Sequence, residues 1–342
     1  MIGGNQQRGL ARGGRPPPLT VLAKWVETAH SGAMIIPLFV ALALAVAAPV
    51  VGQGVPKIAP AVIDNSLEVV GDPLAADQVK TRMFIAVDVN GHGPYRFLVD
   101  SGADRSVVGL GLAEQLALPE GRAVKLQGMA GSARVATVRI DALRLGSSTI
   151  ANIAAPALPE RYLGAQGIVG IDALVDQRLL LDFDKKTIIV QDARRPEPVS
   201  GGDEIVVVAH RRNGQLILTA ASVAGFPIYA VIDTGSEVTM GNLALQARVF
   251  GTRRPPPSRP VVLTSVTGQT LTANLATLPS IKIGGLDLAG VNVAFADAPP
   301  FRLFGLEKSP ALLIGTDVLE VFRRVALDFR GRRVRFTLRR GG

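Results

Sequence analysis

The sequence predicts a mainly β protein that contains two similar lobes. Short runs of Val, Ile and Leu are frequent and are separated by Gly, Pro, Asn and Asp, whereas helical periodicity is scarce. One short pattern also occurs twice, 133 positions apart, and the same landmarks follow each copy. A repeat of this length is far longer than a solenoid unit, so it indicates two lobes rather than an array of small repeats.

The repeated pattern is an apolar run that leads into an Asp, a small hydroxyl residue and a Gly. An apolar run bounded by Gly predicts a buried strand that ends in a tight turn. Each Asp therefore lies where a core strand ends, which is a costly position for a lone carboxylate. The two copies are Phe97-Leu98-Val99-Asp100-Ser101-Gly102-Ala103 and Ala230-Val231-Ile232-Asp233-Thr234-Gly235-Ser236.

The surroundings of the two copies are also alike. Turn residues precede each copy, so each Asp strand is predicted to be the second arm of a β-hairpin. An apolar-apolar-Gly run follows each copy, and each half closes on Leu-Asp-Phe and a further apolar strand. The common order of these landmarks indicates an internal duplication. They are Asn90-Gly91 and Ala224-Gly225, then Ile168-Val169-Gly170 and Leu313-Ile314-Gly315, then Leu181-Asp182-Phe183 and Leu327-Asp328-Phe329.

Residues 1–52 are predicted to be a leader that precedes the folded lobes. Residues 1–31 are rich in Gly, Pro and Arg, which predicts disorder. Residues 34–51 are apolar and uncharged and contain Ala45-Val46-Ala47, a small-residue pattern typical of signal-peptidase sites. We expect a cleaved export signal; an uncleaved inner-membrane anchor and a buried helix are the alternatives. The start of the chain is Met1 or Met34, and the expected location is the bacterial periplasm.

The remaining chain divides by composition into four segments. Residues 53–65 are a Pro-containing linker, and residues 66–192 form the first lobe. Residues 193–202 are a second linker of turn-forming composition, and residues 203–342 form the second lobe.

The composition excludes several kinds of chemistry. The chain has no Cys, which rules out disulfides, thiol catalysis and Cys-metal sites. Its three histidines, His30, His92 and His210, are far apart in the predicted fold, so neither a Ser-His arrangement nor a metal site is expected. No phosphate-binding or dinucleotide-binding Gly-rich motif is present.

The net charge of +9 comes partly from arginines near the C-terminus. Arg333, Arg335 and Arg339 alternate with Val334, Phe336 and Leu338. This alternation predicts a strand with one solvated face, and binding to an anionic surface is the alternative. No nucleic-acid partner is expected.

The two motif aspartates suggest a reaction. If the lobes pack about a pseudo-twofold axis, Asp100 and Asp233 meet near that axis. Two carboxylates so close cannot both ionise and therefore share a proton. The ionised one is then a general base for water, and the protonated one donates to the carbonyl oxygen under attack. Gly102 and Gly235 let main-chain N–H groups approach the carboxylates, while the hydroxyls of Ser101 and Thr234 are placed to bond across the lobes.

These motifs, together with the downstream apolar-apolar-Gly runs, resemble the aspartic protease family. The lobe length and the motif in both lobes are similar to those of bacterial retropepsin-like proteases with two tandem copies, and the similarity covers about residues 66–338. The resemblance implies two small closed β-barrels, the acid-protease fold, related by a pseudo-twofold axis. It also implies short helices at Asp172 to Asp176 and Asp317 to Phe322, a monomer without cofactor or metal, and an extended peptide as substrate.

The family covers its cleft with hairpin flaps between the Asp motif and the apolar-apolar-Gly run. Glycine-rich segments at 127–132 and 265–269 are the candidates here, although Gly is expected in any turn. Neither segment has the Tyr that pepsin-like flaps carry. The candidate substrate-binding residues are Gly128, Met129, Ala130, Gly131, Val266, Thr267 and Gly268.

Three functional hypotheses follow. The leading one is an exported aspartic endopeptidase that uses Asp100 and Asp233. The alternatives are a non-catalytic module that binds peptides or cell-envelope polymers, and a dimer in which each lobe pairs with its equivalent in a second chain. Asp104 and Glu237, which follow the motifs, are expected to be exposed loop acids or helix caps; if they point inward, they raise the pKa values of the dyad.

Overall fold

The computed structural model describes residues 61–62, 82–195, 204–212, 214–251 and 257–339. All of these residues lie in one compact unit, Gly54–Gly342. The leader, its apolar segment 34–51 and most of both predicted linkers lie outside the described residues. In the part of the chain that is described, no helix is both long and apolar enough to cross a membrane.

Among the described residues, the first half of the chain is mainly β, with three short helices. Its strands are β1 (Ala61–Val62), β2 (Phe84–Val89), β3 (His92–Val99), β4 (Val107–Gly109), β5 (Val124–Gly128), β6 (Gly131–Val135), β7 (Thr137–Leu145), β8 (Ser148–Leu158), β9 (Gly167–Val169), β10 (Gln177–Asp182) and β11 (Thr187–Asp192). Its helices are α1 (Leu110–Gln115), α2 (Glu160–Leu163) and α3 (Ile171–Leu174).

The second half repeats this pattern. Its strands are β12 (Glu204–Arg212), β13 (Gln215–Val223), β14 (Phe226–Ile232), β15 (Met240–Gly241), β16 (Arg259–Thr264), β17 (Thr270–Ile283), β18 (Leu286–Phe295), β19 (Ala311–Ile314), β20 (Arg324–Asp328) and β21 (Arg333–Thr337). Its helices are α4 (Leu243–Phe250), α5 (Pro299–Leu303) and α6 (Thr316–Leu319).

Each lobe is built on a ring of six strands in the same order. The first lobe is a closed barrel with the order β2-β3-β9-β4-β8-β7. In the second lobe the order is β13-β14-β19-β15-β18-β17, and the pairing of β13 with β17 closes that ring. The predicted mainly β fold with two similar lobes is therefore confirmed. Apolar side chains at alternate positions, such as Leu143 and Leu145 on β7, fill the barrel interior.

Tight hairpins aim the motif strands, as predicted. Asn90 and Gly91, between β2 and β3, have φ angles of 52° and 81°. Ala224 and Gly225, between β13 and β14, have φ angles of 48° and 81°. Positive φ at both central residues is the requirement of a type I′ turn, whose twist matches that of the paired strands. The turns thus bring β3 back beside β2 and β14 back beside β13 in the barrel wall.

A sheet shared by the two halves joins the lobes. Its order is β1-β11-β10-β20-β21-β12, so β10 of the first half pairs directly with β20 of the second. In that pairing Arg178 lies opposite Asp328, and Asp182 lies opposite Arg324. Both couples form ion pairs, at 3.3 and 2.6 Å. In each ion pair an Arg of one half meets an Asp of the other half. The two pairs are therefore equivalent under a twofold relationship between the lobes.

Three details of the fold differ from the sequence-based expectations. Strand β1 lies within the predicted linker 53–65 and pairs with β11. The short helices after the apolar-apolar-Gly strands begin one residue earlier than predicted and are shorter, at Ile171–Leu174 and Thr316–Leu319. Strand β21 ends at Thr337, and Leu338 is exposed rather than part of the buried face. The alternation at Val334 and Phe336 is as predicted, because both are buried.

The C-terminal arginines are largely paired rather than simply solvated. Arg330 pairs with Asp176 at 3.3 Å, and Arg323 and Arg339 both pair with Asp184. These contacts link the end of the second half to acids of the first half. The positive charge of this region is thus partly neutralised by carboxylates of the first lobe.

Candidate active site

Asp100 directly follows β3, and Asp233 directly follows the equivalent strand β14. The main-chain N–H of Asp100 donates to the carbonyl oxygen of Val169 at 3.0 Å, and that of Asp233 donates to Ile314 at 2.9 Å. Val169 and Ile314 belong to β9 and β19, which run parallel to β3 and β14. The apolar-apolar-Gly strands therefore fix the ends of the Asp strands, which explains why both motifs need them.

Reciprocal hydrogen bonds connect the two motif loops. The N–H of Ser101 donates to Oγ1 of Thr234, and the N–H of Thr234 donates to Oγ of Ser101, each at 3.0 Å. The Ser101 hydroxyl also donates to Ile232 O, and the Thr234 hydroxyl donates to Val99 O, each at 2.8 Å. Both hydroxyl residues are fully buried. These four bonds hold the lobes in register at the aspartates.

The two carboxyl groups face each other across the lobe boundary. A Cβ added to Gly102 would lie 2.7 Å from Cγ of Asp233, and one added to Gly235 would overlap the carboxyl group of Asp100 more severely. Real Cβ atoms essentially never come so close to another heavy atom. Each carboxyl group thus rests against the motif glycine of the opposite lobe, a position that is open only because both residues lack a side chain.

Burial and mutual repulsion shift the titration of this pair. Burial, followed by the charge of Asp100, raises the pKa of Asp233 to about 8. Burial also raises the pKa of Asp100, while the N–H groups of Gly102 and Ala103 lower it by donating to Oδ1 at 2.8 and 3.0 Å. Asp233 accepts a bond from Gly235 at 3.1 Å. The two carboxyl groups therefore titrate as a coupled pair that can share one proton, and the apparent pKa values belong to the pair.

A buried hydroxyl and a carboxylate support the first motif loop from below. Oγ of Ser106 donates to Oδ1 of Asp172 at 2.7 Å, and the Ser106 N–H donates to the same oxygen at 2.8 Å. Oγ of Ser106 in turn accepts a bond from the N–H of Gly170 at 3.1 Å. The loop is thereby tied to the start of α3.

Thr239 and Asp317 repeat this support in the second lobe. Oγ1 of Thr239 donates to Asp317 at 2.6 Å, its N–H donates at 2.9 Å, and Gly315 N–H donates to Oγ1 at 3.0 Å. Burial raises the pKa of Asp317. Neither pair of residues is among the site residues that the sequence predicts. The available signal was a hydroxyl residue six positions after each motif Asp and an Asp two positions after each Gly.

The predicted flap segments lie at the tips of two hairpins, one formed by β5 and β6 and the other by β16 and β17. The tips contact each other: Gly128 faces Ser265, and the side-chain amide of Gln269 donates to Ser132 O at 3.4 Å. Each tip also rests on the opposite lobe. Met129, in the turn with Ala130, packs against a cluster of the second lobe, and Val266 packs against one of the first.

Tyr162 of α2 supplies an aromatic contact at the second hairpin tip. A Cβ on Gly268 would lie 2.6 Å from its Cζ atom, so the tip rests directly on the ring. Beside it, Thr267 Oγ1 lies 3.2 Å from Ser265 Oγ and closes the turn. Neither flap candidate contains a Tyr, but Tyr162 from α2 of the first lobe contacts the second flap candidate.

Comparison with known families accounts for this geometry. A family model described as aspartyl protease matches residues 85–173 and 219–318, together more than half of the chain. The chain belongs to the aspartyl protease family. Each matched segment of this aspartyl protease contains one Asp motif and one apolar-apolar-Gly strand. No curated protein matches the chain significantly.

The acids that follow the motifs differ between the two lobes of this aspartyl protease. Asp104 is exposed, as expected, and accepts a hydrogen bond from the side-chain amide of Gln215. Glu237 is not an exposed loop acid: its side chain is 12% exposed and pairs with Arg82 at 3.2 Å. That expectation was wrong for Glu237 because it considered the local loop and not the residue that the other lobe places against it.

The described residues contain no cluster of three or more His, Asp or Glu side chains with the geometry of a metal site. The acids at the strand ends, Asp182, Asp184 and Asp328, are engaged in the ion pairs between the two halves.

Proposed function

We propose that this aspartyl protease is an endopeptidase in which Asp100 and Asp233 together activate one water molecule. The observation that carries the proposal is the placement of the two carboxyl groups, each against the motif glycine of the other lobe. A shared proton supplies a base and an acid at one point, which is what hydrolysis of an amide without a nucleophilic side chain requires.

The reaction follows from the two protonation states. The Asp100 carboxylate takes a proton from water as the water oxygen attacks the peptide carbonyl carbon. Asp233 donates its proton to the carbonyl oxygen, so the tetrahedral intermediate forms without a free oxyanion. Its breakdown returns a proton to Asp233 from that hydroxyl, while Asp100 passes the proton it took from water to the leaving nitrogen. Acid and amine products leave, and the dyad is restored.

The proposed substrate is an extended peptide that lies between the aspartates and the two hairpin tips. Strand edges on both hairpins offer main-chain N–H and C=O groups, and side-chain pockets on either side select the sequence. The tips meet in the structure, so the hairpins must separate to admit a peptide and close over it afterwards.

The proposal includes a monomer that acts outside the cytoplasm. Both Asp motifs belong to one chain, so a complete site needs no second copy. The apolar segment 34–51 supports export into a periplasm, either as a cleaved signal or as an anchor.

The test is digestion of an unfolded protein by the purified enzyme from about pH 3 to about pH 8. Wild type is compared with Asp100→Asn, Asp233→Asn and wild type with a transition-state inhibitor of aspartic proteases. Cleavage that disappears in both variants and with the inhibitor supports the proposal. A folded wild type that binds peptides but cleaves none contradicts it and favours the binding module. Activity that persists in either variant contradicts the dyad.

A further inference from the structure

Strand register places Arg82 directly across from Asp100. In the pairing of β2 with β3, Phe84 lies opposite Leu98, and Val99 N–H donates to Met83 O at 3.0 Å. The next step along this antiparallel ladder brings Arg82 opposite Asp100. Side chains at directly opposite positions lie on the same face of a sheet and are neighbours.

The second lobe places Gln215 in the equivalent position. In the pairing of β13 with β14, Ile217 lies opposite Val231, so Gln215 comes opposite Asp233 two steps further along. Gln215 is fully buried. Arg82 and Gln215 therefore occupy equivalent positions in the two lobes but differ in charge. Asp100 lies opposite a guanidinium group, whereas Asp233 lies opposite a neutral amide.

Both residues also reach the acid that follows the motif of the other lobe. Arg82 pairs with Glu237, four positions after Asp233, and Gln215 donates to Asp104, four positions after Asp100. The two contacts are equivalent under the pseudo-twofold axis. One is an ion pair, and the other is a hydrogen bond from a neutral donor.

This difference makes the surroundings of the dyad electrically unequal. The charged groups in these contacts are Arg82 with Glu237 on one side and Asp104, bonded to Gln215, on the other. Burial raises the pKa of Asp100, the N–H groups of Gly102 and Ala103 lower it, and the Arg82 charge lowers it further. A cation this near a buried carboxylate favours its ionised form.

We propose that Arg82, held by Glu237, assigns the two roles within the dyad, so that Asp100 is the carboxylate base and Asp233 carries the proton. Arg82 is a positioning residue that acts through Asp100. The inference rests on the proposed endopeptidase activity for its kinetic consequences but not for the titration itself. An aspartic dyad built from identical halves has no such built-in preference before substrate binds.

Two substitutions separate charge from structure. Arg82→Gln and Glu237→Gln both remove the ion pair, but the first removes a positive charge and the second removes a negative one. The acid limb of the pH profile of kcat/KM should move to higher pH in Arg82→Gln and to lower pH in Glu237→Gln. The basic limb, which reports Asp233, should move less. Arg82→Lys keeps the charge and should restore the wild-type profile.

Carboxyl ¹³C resonances of the folded full-length protein give the same answer without a substrate. The first ionisation should belong to Asp100 in wild type, and it should shift in opposite directions in the two variants. Equal shifts in both variants, no shift in either, or a first ionisation at Asp233 would overturn the inference. Thermal unfolding of all variants identifies any that are misfolded, and Arg82→Lys with Glu237→Gln still tests the sign if Arg82→Gln does not fold.

The two readouts distinguish which proposal fails. Opposite titration shifts in a protein that cleaves no peptide support the inference and count against the endopeptidase. Peptide cleavage with an unchanged titration in both variants supports the endopeptidase and contradicts the inference about Arg82.

Discussion

The hydroxyls of Ser101 and Thr234 occupy equivalent positions, and each donates at 2.8 Å to a main-chain carbonyl of the opposite lobe. Each hydroxyl also accepts the N–H of the other residue at 3.0 Å. Because both residues are buried, no water is at hand to replace a lost partner. The lobes are thus joined at the aspartates by polar groups that depend on one another.

Thr234→Val should therefore lower the free energy of unfolding by about 2 to 6 kcal/mol. Val has nearly the same shape, but it leaves Ser101 N–H and Val99 C=O buried without their partner, and each such group costs about 1 to 3 kcal/mol. Urea denaturation measures the loss. Thr234→Ser keeps a hydroxyl, as Ser101 provides at the equivalent position of the first lobe, and should lower the free energy of unfolding less. A Val variant as stable as the Ser variant would contradict the role of these bonds.

Gly235→Ala should abolish most activity while the protein stays folded. The added methyl group overlaps the Asp100 carboxyl group and pushes it out of the dyad. A displacement of about 1 Å in a catalytic group can cost about 100-fold in rate, so kcat should fall at least that far. Gly111→Ala is the control, since its Cβ meets only the flexible end of Glu160, at 3.0 Å. Full activity of Gly235→Ala would show that the carboxyl groups do not meet as described.

The shifted pKa of Asp233 makes stability depend on pH. Its pKa rises from 3.8 to about 8 on folding, so the folded state holds a proton that the unfolded state has lost between these values. Stability from this group is fully present below pH 3.8 and declines as pH rises towards about 8, by at most about 1.4 kcal/mol per pH unit. Asp233→Asn should remove this decline.

The measurement is urea denaturation of wild type and Asp233→Asn at a series of pH values. The variant should gain on wild type as pH rises through this window, and the difference should level off above it. Two parallel curves would mean that Asp233 titrates normally in the folded protein.

The hydrogen bonds from Thr239 to Asp317 predict that a substitution away from the two motif aspartates lowers stability. Asp317→Ala leaves the Thr239 N–H and hydroxyl without their acceptor and should cost about 2 to 4 kcal/mol. Asp287→Ala, at an exposed position on β18, is the matched control and should change stability by less than about 0.5 kcal/mol. Thermal or urea unfolding measures the stability of both variants. Equal losses would contradict a stabilising role for the bonds between Thr239 and Asp317.

The duplication explains how much of the site could be predicted from the sequence. The repeat of Asp-hydroxyl-Gly behind an apolar strand indicates both aspartates and their cross-lobe hydroxyls, because a twofold arrangement brings equal positions together. It also locates the hairpins whose tips meet, since Gly at 128, 131 and 268 marks tight turns.

Other contacts depend on chain segments that the sequence does not bring together. Ser106 and Asp172 are 66 positions apart, and their bond exists only because β9 passes beneath the motif loop. Arg82 meets Glu237 through the pairing of whole lobes, so local reasoning predicted an exposed acid instead. Long-range contacts between irregular loops leave no periodic trace in the residues, whereas strands and turns do.

The contrast between Arg82 and Gln215 has a consequence for how such a protein changes over generations. In a dimer of identical chains, one gene sets both positions, and every substitution appears on both sides of the site. Here each position is encoded separately, so one copy is free to acquire a charge while the other keeps an amide. Joining two copies in one chain thus allows each half to specialise in one step of the reaction.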